Sequence, residues 1–223
     1  MGAFLFKEGV AMITKLIVGE LQTNCYLFFD DETRETLIID PGDEPERIVD
    51  EIEKYRLIPI MIINTHYHFD HIGGNAFLKE RYDIPIAIGD LDADLLENSH
   101  QDAFNFFGKR QDPSPEADIL LSEDRSVKVG RFIFEVIETP GHTPGSISLY
   151  QAEEGILFSG DTLFYESVGR WDLVGGDEFD LIRSVGKLLK LPEETVVYPG
   201  HGKETTIKHE RESNPFVELA LIK

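Results

Sequence analysis

Short apolar runs recur along the chain, each closed by a glycine, a proline or a polar turn. Residues 13–18, 23–29 and 36–40 read as strands separated by polar turns. Residues 44–56 read as an amphipathic helix, with Ile48, Ile52 and Tyr55 at helical spacing and Glu44 and Glu46 near its positive end. Ile60-Met61-Ile62-Ile63 carries no polar residue, which marks a buried strand over 60–64. A helical stretch at 75–82 and a short strand at 84–88 come next. The second half repeats the plan, with strands at 127–129, 132–138, 146–151 and 156–160, a helix near 178–190 and a strand at 195–198. No Pro/Ser-rich linker and no short repeat interrupts this order, which is that of one domain in two halves, 1–223. Residues 90–118 are less regular: Asp90 to Asn98 can form a helix, an aromatic stretch comes after it, and Pro113 and Pro115 break the chain.

The 60–64 strand leads directly into a dense cluster of potential ligands. Thr65-His66-Tyr67-His68-Phe69-Asp70-His71 places three imidazoles and a carboxylate within six positions. This donor set suits zinc, iron or manganese. It sits on the loop at the C-terminal end of a strand, where open α/β sheets place ligands. Four donors this close are too many for one tetrahedral ion on a short loop, so His66 and His68 can face one ion while Asp70 and His71 face a second. Three further candidates stand in the same setting, just past an apolar run and beside glycine: His142 in Thr139-Pro140-Gly141-His142, Asp161 after Ser159-Gly160, and His201 after Pro199-Gly200. A glycine lets the backbone turn sharply and brings a short side chain close to an ion. His100 and His209 lack this setting and read as surface or second-layer residues.

These segments resemble the metallo-β-lactamase superfamily, whose pattern is His-x-His-x-Asp-His followed by a distant His, Asp and His. Leu21-Gln22-Thr23-Asn24-Cys25-Tyr26, Ile39-Asp40-Pro41-Gly42, Ser159-Gly160-Asp161-Thr162-Leu163-Phe164, Gly169-Arg170-Trp171-Asp172 and Asn214-Pro215-Phe216 are similar to the hydroxyacylglutathione hydrolases (glyoxalase II) and their short relatives. The resemblance implies an αββα four-layer sandwich, two mixed sheets flanked by helices, with metals along one edge between the halves. It implies two divalent ions, zinc first, with iron or manganese as alternatives. His66, His68 and His142 then hold the first, Asp70, His71 and His201 the second, and Asp161 bridges both. Residues 1–11 read as an N-terminal extension, and the helical glutathione-binding domain of the longer enzymes is not expected in this chain.

The implied chemistry is hydrolysis of an acyl thioester by a metal-bridging hydroxide. A water between two divalent ions ionises near neutral pH, and an ion stabilises the oxyanion. A thiolate, whose acid has a pKa of about 8.5, leaves without a dedicated general acid. Asp70 and Asp161 are ligands first, and either can accept a proton as a catalytic group. Asp40 is placed either as a carboxylate behind a metal-bound histidine or as an Asp-Pro-Gly turn. Arg170 is a candidate for a substrate carboxylate, or an ion-pair partner of Asp172 or Asp177. Phe104 and Phe107 are candidates for an apolar substrate wall or for core packing. Two alternatives stay open: a persulfide dioxygenase-like oxidoreductase with one iron on His66, His142 and Asp161, and a non-catalytic metal-binding protein.

Composition narrows the partners. With 42 acidic residues against 21 basic ones and a net charge of -21, nucleic acid is not an expected partner. A small acyl thioester is still accessible, because two divalent ions outweigh Asp70, Asp161 and a hydroxide and leave the centre about +1. No apolar stretch has the length of a membrane span, so no membrane is expected. The single cysteine, Cys25, reads as a small buried apolar residue and suits a reducing, cytoplasmic setting.

Overall fold

The computed structural model describes residues 10–108 and 110–217, with the side chains of Glu97, Phe104, Phe106 and Phe107 outside that description. Two six-stranded sheets form its middle. The first runs β1 (Ala11–Val18), β2 (Thr23–Asp30), β3 (Glu35–Ile39), β4 (Ile58–Asn64), β5 (Ile86–Gly89) and β6 (Ile119–Leu121), in sequence order across the sheet. Its first two pairings are antiparallel and the rest parallel. The second contains β7 (Ser126–Val129), β8 (Phe132–Glu138), β9 (Ile147–Gln151), β10 (Ile156–Gly160), β13 (Val196–Pro199) and β14 (Thr205–Thr206), in the order β14-β13-β10-β9-β8-β7. Only β10 and β13 run parallel there. A small hairpin of β11 (Leu163–Phe164) and β12 (Ser167–Val168) comes after Asp161.

Strand alternation sorts the apolar residues into three layers. On β2, Tyr26 and Phe28 face the second sheet while Cys25, Leu27 and Phe29 face the helices. On β4, Ile63 points inward and Ile62 outward, which is why that strand is apolar on both sides. Phe28 sits at the centre of the inner layer, edge-on to Phe134 at 4.7 Å and to Phe132 at 5.3 Å. Burial of such a ring contributes about 2–3 kcal/mol. The outer face of the first sheet is covered by α1 (Pro45–Tyr55) through Ile48 and Ile52, and by α3 (Asn75–Tyr82) through Leu78. The second sheet is covered by α5 (Glu178–Leu188) through Leu181, Val185 and Leu188, and by α6 (Ile207–Ser213) through Ile207. The layers are therefore helix, sheet, sheet, helix.

Several boundaries differ from the expectation. α1 is bounded by Glu44 and Arg56, both left-handed, so neither belongs to the helix expected over 44–56. The loop after β4 is partly helical: His68 carbonyl accepts from His71 N at 2.9 Å and closes the single turn α2 (Phe69–Ile72). Asp90–Asn98 is a 3-10 helix, followed by α4 (His100–Phe107). β6, β14 and the β11–β12 hairpin are too short to leave a two-residue alternation in the sequence. β1 begins at Ala11, inside the expected extension, and residues 1–9 lie outside the described residues.

Candidate metal centre

All seven candidate donors lie at the C-terminal ends of strands, on the edge where the two sheets meet. β4 delivers His66 in the bend just past its end and His68 in extended backbone two residues on, and then Asp70 and His71 on α2. β8 leads to His142, β10 to Asp161 and β13 to His201. Three groups of donor atoms result, each within 4.8 Å of one another: His66, His68 and His142; His66, His71 and Asp161; Asp70, His71 and His201. The last is close-set. His71 Nε2 lies 3.3 Å from His201 Nε2, and Asp70 Oδ2 is 3.5 Å from the first and 3.3 Å from the second. Asp161 spans the gap between the outer groups, with Oδ2 at 3.5 Å from both His142 Nε2 and His201 Nε2, and Oδ1 at 3.6 Å from His71 Nε2.

These distances test whether the residues fit an ion. A tetrahedral ion with bonds of about 2.0–2.1 Å holds its ligand atoms about 3.3 Å apart. His71, His201 and Asp70 match that spacing. His66 Nε2, His142 Nε2 and Asp161 Oδ1 are buried and have no hydrogen-bond partner in the protein, a costly condition for polar atoms unless something binds them. The far side of four of the five rings faces a partner. His142 Nδ1 donates to the Arg170 carbonyl at 2.7 Å, and His201 Nδ1 to the Leu21 carbonyl at 3.1 Å. His71 Nδ1 faces Asp40 Oδ2 at 3.0 Å. Thr65 spends its hydroxyl proton on Asp40 at 2.7 Å and so accepts from His66 Nδ1 at 3.1 Å. In all four rings Nε2 is the nitrogen left to face the centre, and it offers a lone pair there whenever the ring is neutral.

Asp40 lies behind the candidate donors. It is left-handed at the head of the Asp-Pro-Gly turn, and its carboxylate, besides facing His71, accepts from Thr65 N at 2.7 Å. Asp70 Oδ2 accepts from Thr23 Oγ1 at 2.9 Å. Thr23 and Thr65 contact the candidate donors, and sequence reasoning misses them, since nothing local separates them from other threonines. Arg170 contributes its carbonyl; its guanidinium forms a bidentate pair with Asp172 at 2.8 and 2.9 Å on the surface. The side chains of Phe104 and Phe107 lie outside the described residues. His209 pairs with Glu166 at 2.9 Å and stacks on Tyr165, away from the centre.

The side chains alone give this site an uneven charge. Burial favours neutral His66 and His68, and the neighbouring imidazoles add to it: His66 is pushed well below the ordinary value and His68 down to about 3. Burial also opposes a charged His71, but Asp70, Asp161 and Asp40 outweigh it and push the ring up to about 10. Burial would raise the Asp70 carboxyl, yet His71, His201 and Thr23 hold it far below the usual carboxylate range. Without an ion, the carboxylates around His71 therefore favour its protonated form.

The metallo-beta-lactamase superfamily profile matches residues 18–201. The chain belongs to the metallo-β-lactamase superfamily. Within the superfamily it is 37% identical to hydroxyacylglutathione hydrolase GloC of Haemophilus influenzae, over 90% of this chain and 95% of that one. It is also 37% identical to the probable metallo-hydrolase YqgX of Bacillus subtilis, over 91% and 96%. Three solved structures share the fold. BLEG-1 B3 metallo-beta-lactamase has a TM-score of 0.87 at 39% identity, covering 92% of this chain and 99% of its own. TTHA1623 in a di-iron-bound form has 0.84 at 40%, covering 91% and 99%. ETHE1 from Myxococcus xanthus has 0.78 at 28%, covering 94% and 90%. The two mixed sheets with outer helices are this superfamily's fold. No helix among the described residues is long and apolar enough to cross a membrane.

Proposed function

We propose that this metallo-hydrolase-family protein hydrolyses small acyl thioesters at a two-ion centre, as a relative of hydroxyacylglutathione hydrolase. The observation that carries the reading is the pair of donor groups, His66–His68–His142 and Asp70–His71–His201, with Asp161 between them. The likeness to GloC supports the thioester class, and the ions of the di-iron-bound relative support a centre of two. When bound, such ions supply a water that ionises at neutral pH and Lewis acidity toward a carbonyl. The protein's own part is to hold the donors rigidly. Thr23 fixes Asp70, Asp40 fixes His71, and the Arg170 and Leu21 carbonyls fix the tautomers of His142 and His201. Asp70 is held toward its ionised form by its imidazole neighbours, the form a ligand needs. Departure of a thiolate needs no proton, which agrees with a centre whose carboxylates are both engaged.

A second reading is a persulfide-oxidising enzyme with one iron held by His66, His142 and Asp161. The likeness to ETHE1 and the 3.5 Å approach of His142 to Asp161 support it. One experiment separates the two: elemental analysis of the purified protein, then assays with S-lactoylglutathione and, for oxygen consumption, with glutathione persulfide. Two ions per chain and free thiol from the first substrate are expected. Oxygen uptake with one iron per chain, and no thioester turnover, would replace the first reading by the second.

A further inference from the structure

Asp92 stands outside all three donor groups, in the 3-10 helix Asp90–Asn98, and is fully buried. A buried carboxylate is costly unless its oxygens are saturated with donors. Here they are. Oδ1 accepts from Gly145 N at 2.6 Å, and Oδ2 from Thr143 Oγ1 at 2.6 Å and Tyr67 N at 3.2 Å. Tyr67 lies between His66 and His68, and Thr143 comes directly after His142. One carboxylate therefore ties the loop after β4, in the first sheet, to the loop after β8, in the second. The approach is close: a Cβ at Gly145 would come within 2.3 Å of Asp92 N and 2.7 Å of its Oδ1. None of these bonds reaches Asp70, His71 or His201, whose supports are Thr23, Asp40 and Leu21.

We propose that Asp92 is a positioning residue for one ion of the two. It sets the distance of His142 from His66 and His68, and so the affinity of that group, while the Asp70–His71–His201 group is independent of it. The inference rests on reading these groups as ion-holding. Asparagine at this position would present an amide N–H₂ to the backbone N–H of Gly145 or Tyr67, so the tie cannot re-form with the same donors.

The test is a zinc titration of the full chain, stripped of metal, against a chromophoric chelator. The unsubstituted protein should bind two ions. Asp92→Asn should weaken one of them by about tenfold to a hundredfold, the scale of outer-layer partners, and leave the other unchanged. The weakened ion should be the one lost in His68→Ala and kept in His201→Ala. Thr143→Val, which removes one donor and keeps the shape, should weaken the same ion to a smaller degree. It decides the matter if Asp92→Asn does not fold. Equal weakening of both ions, weakening of the other one alone, or no change in either overturns the role of Asp92. An unsubstituted chain that binds no zinc overturns the metal centre itself, before any variant is compared.

Discussion

Thr23 and Asp70 lie 47 residues apart in sequence and meet through a 2.9 Å hydrogen bond from hydroxyl to carboxylate. Thr23 opens β2 and its backbone also pairs with that of His201, so one residue meets two of the three residues of the Asp70–His71–His201 group. Thr23→Val keeps the volume and removes the donor. The expected result is an ion affinity lower by about tenfold to a hundredfold at the Asp70–His71–His201 group. Chelator competition reads this; unchanged affinity would show that Asp70 is held by its neighbours alone.

Asp161 is the one carboxylate whose oxygens approach His71, His142 and His201 together. Asp161→Ala should lose at least one ion and reduce thioester hydrolysis by about a thousandfold or more, while circular dichroism stays native. Two tightly held ions with normal turnover in this variant would sink the two-ion assignment.

Gly200 leaves room for the centre. A Cβ there would stand 2.1 Å from Asp161 Oδ1 and 2.8 Å from His71 Cε1. Gly200→Ala must push Asp161 or the His201 turn aside. A shift of that size costs about a hundredfold in turnover. Steady-state kinetics and ion counting on Gly200→Ala check it, with retained activity as the contrary outcome.

The metal-free chain should be most stable near pH 6.5, to the extent that these histidines govern it. His71 is raised to about 10, so above the ordinary imidazole value of about 6.5 the folded chain keeps a proton that the unfolded chain has lost. That contribution is complete below pH 6.5 and disappears as pH rises through 10. His68 is lowered to about 3, so its contribution is present above pH 6.5 and is lost as pH falls toward 3. Urea midpoints of the stripped protein between pH 4 and 9.5 should trace this dome. Zinc must also displace the His71 proton. Calorimetric titration at pH 7.5 in two buffers of different ionisation enthalpy should therefore give different heats. Identical heats would mean that His71 carries no proton to release.

Legibility in the sequence divides by distance along the chain. His66, His68, Asp70 and His71 announce themselves because they share one short loop after an apolar strand. His142, Asp161 and His201 are legible because each stands past a strand and beside a glycine. Their supports are not. Thr23 reaches Asp70, Asp92 reaches Thr143 and Gly145, and His142 finds the Arg170 carbonyl, all across several intervening elements of the chain. Asp92 in particular sits between Asp90 and Asp94 in a run where only the fold picks out the middle one as buried. Strands β2, β4 and β10 are evident from their apolar runs, whereas α2 depends on a single backbone bond between His68 and His71.

Each donor group draws on both sheets: His66, His68, Asp70 and His71 leave the first, His142, Asp161 and His201 the second. An ion seated among them is thus a cross-link between segments as far apart as residues 68 and 142, or 71 and 201. The chain has a single cysteine, buried in β2, and can form no disulfide within itself. Chelation would do to this fold what reduction does to a disulfide-bonded one, releasing a reversible staple that joins its two halves.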